Sequence, residues 1–143
     1  MNLKPELIPV FEAKVKIGEA QLVGSVYGYQ RKIVPVLGGE VFGENIRGEI
    51  LEGGSDWQQI HDNQVRIETR YTIKTADGYL IYMINRGIRV IKQNQATAPE
   101  TYMRTHTFFE VEKGPYQWLN ESLFVSTAQK TDQGIHHQFY QLT

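Results

Sequence analysis

Residues 65–84 read VRIETRYTIKTADGYLIYMI and give the strongest local indication of the fold. Two runs in which apolar and polar residues alternate are separated by the tetrapeptide TADG at 75–78. Alternation with a period of two predicts half-buried β-strands, and Asp-Gly between two such runs is typical of a tight turn. The stretch therefore predicts an antiparallel hairpin, with one strand over 65–74 and its return over 79–84.

Period-two alternation recurs outside this hairpin, whereas no stretch carries a clean helical stripe of apolar residues. Further strands are predicted at 10–17, 20–27, 31–37, 40–51, 102–112, 121–128 and 135–142, and residues 88–91 are predicted to continue the strand over 79–84. Eight to ten short antiparallel strands are typical of a barrel or a sandwich. Because several strands carry one apolar face and one face with arginine and carboxylate, the pattern favours an all-β, single antiparallel barrel.

Glycine and proline predict the interruptions between these strands. Pro35 predicts that 31–37 is an edge or irregular strand, because proline has no N–H to donate. Turns or irregularities are also predicted at Gly38-Gly39 (a turn), 53–56 (a loop), 85–87 (a bulge), 92–101 (a long loop) and 116–120 (one helical turn).

Length and composition exclude several classes of protein. A chain of 143 residues suits one domain spanning 1–143. Because it has no cysteine, a disulfide framework, a thiolate metal site and a cysteine nucleophile are excluded. The net charge of −1 argues against a strongly basic nucleic-acid surface and leaves only a local patch open. No nucleotide or dinucleotide fingerprint is present, so no cofactor and no nucleic-acid partner are expected.

The first nine residues, MNLKPELIP, lack the apolar core of a secretory signal. The apolar runs elsewhere are too short to form a membrane-spanning helix. We therefore expect a cytoplasmic protein with no membrane partner. Self-association through an exposed strand edge, with the Pro35 segment as one candidate, stays open.

The decapeptide GEILEGGSDW at 48–57 resembles the G-x-(hydrophobic)-x-x-GG-x-DW signature of an uncharacterised family, domain of unknown function 3237. Further segments resemble that family in the same order: ETRY (68–71), TADG (75–78), NRG (85–87), YMRT (102–105) and YQWLN (116–120). The resemblance covers nearly the whole chain and implies a small β-barrel with an internal pocket, calycin-like in outline. It implies no particular reaction. Glu68 stands where the family commonly has Asp, and Asn63 where it usually has Gly.

Two carboxylates are candidate catalytic groups. Asp56, beside Trp57, follows two glycines and could act at a barrel mouth, or it could cap a turn while the indole plugs the barrel end. Glu68 and Arg70 share a strand face and could hold a ligand or orient a proton. On the other face, residues such as Tyr71 are more apolar, and the sequence does not say which face points inward.

Aromatic rings and arginines define a candidate ligand pocket. Arg104 and His106 share a strand face, so that the arginine could clamp an anion and the histidine could move a proton near neutral pH. The predicted lining is Trp57, Arg70, Tyr82, Arg104, His106 and Trp118. The histidines at 61, 136 and 137 have no metal-ligand spacing, so no metal site is predicted.

Three functions fit this pattern. The leading one is binding of a small, partly apolar or anionic metabolite in an aromatic and arginine-lined pocket. The first alternative is a cofactor-free isomerase, cyclase or lyase with Asp56 or Glu68 as general base. The second is an interaction module whose barrel is filled by its own side chains. A pocket carboxylate with a raised pKa would favour the enzyme over the binder.

Overall fold

The computed structural model describes residues 3–92 and 100–143, which form ten strands and one short 3₁₀ helix. The strands are β1 (Leu7–Ile17), β2 (Gln21–Val26), β3 (Tyr29–Phe42), β4 (Arg47–Ile50), β5 (Ser55–His61), β6 (Gln64–Thr75), β7 (Leu80–Lys92), β8 (Glu100–Glu110), β9 (Leu123–Thr131) and β10 (Gly134–Leu142). The helix, Gln117–Asn120, confirms the turn predicted at 116–120. Most of the loop predicted at 92–101 lies outside the described residues. In the described part of the chain, no helix has the length and apolar character needed to cross a membrane.

These strands close into an antiparallel barrel with eight strand positions. Strand β1 pairs with β10 on one side and with β3 on the other, which closes the ring. Strands β4 and β5 share the position between β3 and β6, since β4 pairs with one half of each neighbour and β5 with the other. The predicted all-β barrel is therefore confirmed.

The hairpin predicted from 65–84 is formed by β6 and β7, with Asp77-Gly78 at its turn. The predicted bulge at 85–87 is wrong, because the pairing of β6 with β7 continues without interruption through Gly87. Gly87 serves a different purpose. A Cβ there would lie 2.1 Å from the backbone oxygen of Arg104, so a glycine allows β8 to approach β7.

Strand β3 runs through both Pro35 and the predicted turn at Gly38-Gly39, so the predicted turn and the predicted edge are wrong. The alternative of an irregular strand is confirmed, because the register of β3 against β1 shifts between Val36 and Gly38. The strand is not an edge. On one side it pairs with β2 up to Ile33 and with β1 from Val36 onward, so Pro35 lies at the junction where a missing N–H breaks no ladder bond. Its carbonyl still accepts from the Gly18 N–H at 2.9 Å.

The predicted loop at 53–56 is shorter than expected, because β5 begins at Ser55. Asp56 and Trp57 consequently lie on a strand and point to opposite faces of the barrel wall. Gly54 allows this strand to start close to β6, since a Cβ there would lie 2.1 Å from the backbone oxygen of Arg70.

The apolar face of β6 points into the barrel. Ile67, Tyr71 and Ile73 are buried, whereas Glu68 and Arg70 are half-exposed on the outer face. The apolar face lies inside because burying it stabilises the fold and burying unpaired charges would not.

The interior is divided along the barrel axis. The lower half, which ends at the 3₁₀ helix and the β6–β7 turn, holds one continuous apolar cluster that includes Phe11, Phe109, Phe124, Phe139 and Leu119. The upper half, which ends at the β5–β6 and β9–β10 turns, holds most of the buried polar side chains.

Candidate functional site

We call the inward-facing polar side chains of the upper half the polar interior. They project from seven strands of the wall, because each lies at an alternate position that faces inward on its strand. The set comprises Lys32, Asp56, Gln58, Thr69, Asn85, Arg89, Thr105, Thr107, Ser126 and His137.

Asp56 is the carboxylate of the polar interior. Gln58 donates an amide N–H to its Oδ2 at 2.6 Å, and the Thr69 hydroxyl donates to its Oδ1 at 3.0 Å. Burial raises the pKa of Asp56 and outweighs the two hydrogen bonds and the charges of Arg89 and Lys32, which lower it. A carboxyl group in this setting is suited to exchange a proton with a bound molecule.

Two atoms of the polar interior have no hydrogen-bond partner among the described residues. They are the amide oxygen of Gln58 and the Nε of Arg89, and both atoms are buried. Buried polar atoms are normally paired, since an unpaired one costs about 1–3 kcal/mol. A bound molecule with a donor and an acceptor group would satisfy both.

The opposite wall carries hydroxyl groups that pair with one another. Thr107 donates to the side-chain oxygen of Asn85 at 2.7 Å, and Thr105 and Ser126 share a hydrogen bond. Ser126 also contacts the Nδ1 of His137 at 3.4 Å. Burial lowers the pKa of His137 to about 4, so its ring is neutral at physiological pH.

Glu68, the other predicted catalytic carboxylate, lies on the outer face. It accepts from the Nε of Arg86 at 2.6 Å and from Arg70 at 3.4 Å. The bond from Arg86 lowers the pKa of Glu68. Arg70 also donates to the Tyr82 hydroxyl at 3.2 Å. Glu68 is thus the centre of an ionised surface network, and Asp56 and Glu68 do not share a site.

The residues of the predicted ligand pocket are divided between two regions. Trp57, Arg104 and His106 line a groove of about 820 Å³ on the outer face, together with Glu68. Arg70 and Tyr82 lie on the outer face of the neighbouring rows. Trp118 lies at the lower end of the barrel, where its ring packs against that of Phe124 with the ring centroids 6.0 Å apart. None of the six side chains enters the polar interior, because each has outward parity or lies at the other end.

Sequence reasoning missed most of the polar interior, including Gln58, Asn85, Arg89, Ser126 and His137. A signal was present on β7, where the buried face runs Ile81, Met83 and then Asn85. A polar residue in an otherwise apolar alternation marks a polar lumen when the barrel is known to be closed. In the described residues, no three histidine, aspartate or glutamate side chains converge to hold a metal ion.

The fold and this interior define the class, a closed β-barrel with an apolar lower half and a polar upper half. The chain belongs to the family described as "Protein of unknown function (DUF3237)", whose model matches residues 5–142. It is 37% identical over 129 residues to the UPF0311 protein RPA1785 of Rhodopseudomonas palustris, an alignment covering 83% of this chain and 84% of that protein.

Solved structures agree with the fold. A β-barrel-like protein from Acinetobacter baumannii superposes with a TM-score of 0.92 at 26% identity, covering 100% of this chain and 99% of that chain. A structure described as an enzyme from Penicillium herquei superposes with a TM-score of 0.77 at 20% identity, covering 100% and 98% of the two chains. At that identity the likeness concerns the fold alone.

Proposed function

We propose that this protein binds a small oxygen-containing molecule in the polar interior and that Asp56 acts there as a general acid and base. The observation that carries the proposal is an inward-facing, partly buried carboxyl group held by Gln58 and Thr69, in an interior with two buried polar atoms that have no partner among the described residues. The reaction class is proton transfer without a cofactor, as in an isomerase, cyclase or lyase.

The two hydrogen bonds fix the direction in which Asp56 can act. Gln58 occupies one carboxyl oxygen and Thr69 the other, so the group cannot rotate freely. Burial moves the pKa of Asp56 upward, in the direction of neutral pH. A general acid or base works best when its pKa is close to the pH at which the protein operates. A carbon–hydrogen bond next to a carbonyl is a suitable target. Removal of the proton leaves an enolate, whose negative charge resides on oxygen.

Arg89 is suited to hold that oxygen. Its buried Nε has no partner among the described residues, and its charge acts on Asp56 without a hydrogen bond between them. A substrate oxygen at this donor would gain a charge-assisted hydrogen bond that strengthens as negative charge develops. In this proposal the proton moves from the substrate carbon to Asp56, the electron pair moves onto the oxygen near Arg89, and the proton is then returned.

The test is solvent exchange in D₂O, followed by proton NMR, over a panel of small keto acids, hydroxyketones and cyclic ketones. We expect the protein to accelerate exchange next to the carbonyl of at least one compound. Asp56→Asn should lower that rate by about 10²–10⁴-fold, the usual contribution of a general acid or base. Glu68→Gln is the matched control, because it removes the other candidate carboxylate from the outer face and should leave the rate unchanged.

Two results would overturn the acid–base role. In the first, the wild-type protein accelerates no exchange, while a crystal structure contains a small molecule in the polar interior; the protein is then a binder. In the second, Glu68→Gln abolishes exchange and Asp56→Asn does not. The interaction module would instead be favoured by an upper half filled by the protein's own side chains, with no bound molecule and no acceleration of exchange.

A further inference from the structure

A row of arginines crosses the outer face of the barrel at right angles to the strands. Pairing of neighbouring strands aligns Arg31 on β3, Arg66 on β6 and Arg104 on β8, with Gln59 and Ile88 between them. With strands about 4.8 Å apart, the row from β3 to β8 is roughly 19 Å long. It is invisible along the sequence, because its members come from separate strands.

The groove beneath this row is strongly positive although the whole chain has a net charge of −1. It is lined by four arginines, at 31, 66, 86 and 104, and one carboxylate, Glu68. Arg86 and Arg70 already neutralise that carboxylate. Arg66 has no hydrogen-bond or ion-pair partner in the described part of the chain, so its charge is available to an anion.

Aromatic rings lie on both sides of the row. Trp57 and His106 belong to the next row toward the lower end, while Tyr29 and Tyr102 belong to the next row toward the upper end. Arg104 stacks over the Tyr102 ring at 5.2 Å, and Arg31 over the Tyr29 ring at 5.4 Å. Flat rings beside spaced guanidinium groups offer stacking surfaces next to phosphate-binding groups.

We propose that this outer face, Arg31, Arg66, Arg104 and the flanking rings, binds a short stretch of single-stranded nucleic acid. Its length favours an extended polyanion over a single carboxylate or phosphate group. Its rings favour bases over an acidic peptide, because every base has a face that can stack on an aromatic side chain. The site is separate from Asp56, so it stands or falls independently of the proposed proton transfer.

The test uses the Trp118→Phe variant, whose single remaining tryptophan is Trp57. Titration with a 12-mer of oligothymidylate at 50 mM salt should quench its fluorescence. Contacts from three to four arginines predict that log K falls with log salt with a slope of about −2 to −3. Anisotropy of a fluorescein-labelled 12-mer on the wild-type protein gives the same affinity if Trp118→Phe proves unstable.

Matched substitutions separate this site from general charge effects. Arg66→Gln together with Arg104→Gln should weaken binding at least 10-fold, and Arg47→Gln, which removes an exposed arginine at the lower end, should not. Trp57→Ala should weaken it about 5-fold or more through lost stacking. The proposal is overturned by absence of binding at 50 mM salt. It is equally overturned if inorganic polyphosphate or a double-stranded 12-mer binds as tightly as the single strand.

Discussion

The lower and upper halves of the barrel interior are enclosed largely by the same strands and differ in what fills them. In the lower half, stacked and edge-on phenylalanines such as Phe11, Phe109, Phe124 and Phe139 pack with ring centroids 4.6–6.2 Å apart. In the upper half, the same strands present Asn85, Thr105, Ser126 and other polar groups. One half therefore forms the apolar core, and the other half holds the polar groups of the proposed site.

This division has an energetic cost that falls mainly on the upper half, although the buried Tyr71 hydroxyl in the apolar cluster also has no partner among the described residues. Packed rings in the lower half gain from burial of apolar area. The upper half loses the hydration of its polar groups and leaves the Gln58 oxygen and the Arg89 Nε without partners among the described residues. Polar groups retained at such a cost are commonly found at functional sites.

The largest loss of stability is expected when an aromatic ring in the lower half is truncated. Phe124 is 1% exposed and contacts the rings of Phe109 and Trp118. Phe124→Ala should lower the free energy of unfolding by about 3–5 kcal/mol, because it removes apolar contacts and leaves a cavity. Urea denaturation at pH 7 measures this. A loss below 1 kcal/mol would mean that the lower half is not the main source of stability.

A smaller loss of stability is expected at low pH, and it comes from a histidine in the upper half. His137 has a pKa of about 4 in the folded protein, against an ordinary value of 6.5. The folded state therefore binds fewer protons than the unfolded state, and stability present above pH 6.5 is lost as the pH falls toward 4. The loss should reach about 3 kcal/mol at 1.36 kcal/mol per pKa unit.

Urea denaturation of wild-type protein and His137→Gln between pH 7 and 4 isolates this contribution. The variant should show a shallower acid dependence. His136→Gln is the control, because His136 is half-exposed and bonded to Glu12 at 2.8 Å on the outer face. Equal pH profiles for wild-type protein and His137→Gln would contradict the burial of a neutral His137.

The smallest effect on stability is expected for Asp56→Asn. The folded-state pKa of Asp56 is raised above the ordinary 3.8, so its contribution is complete below pH 3.8 and is lost as the pH rises through the raised value. At pH 7 the variant should be as stable as the wild-type protein, or slightly more stable. Thermal unfolding at pH 7 and pH 5 checks this, and a large loss at pH 7 would make Asp56 a structural residue.

The sequence predicted the barrel and the β6–β7 hairpin because both depend on local alternation and on a turn at Asp77-Gly78. It failed in predicting a turn at Gly38-Gly39 and in allowing a sheet edge at Pro35, where long-range pairing with β1, β2 and β5 overrides the local preference for a break. Proline is tolerated within a strand where no neighbouring strand needs its backbone N–H. Glycine is tolerated where a neighbouring backbone approaches closely.

The candidate site was less predictable than the fold. Asp56 was identified from its motif, but apart from Gln58 on its own strand its partners come from β3, β6 and β7, and its inward orientation depends on where β5 begins. Arg70, Arg104 and His106 were expected near a pocket because aromatic rings and arginines alternate along their strands. Parity alone cannot say which side of a strand becomes the lumen, and only closure of the ring decides it.

The seam between β1 and β10 also bears on how the chain folds. His136 and Glu12 are hydrogen-bonded across this seam although they are separated by 124 positions in the sequence. Such a contact costs more chain entropy to form than the hairpins, and folding rates fall as contacts become less local. Local hairpins such as β6–β7 can form before the ring closes, and the polar interior acquires its enclosing wall only when the seam is made.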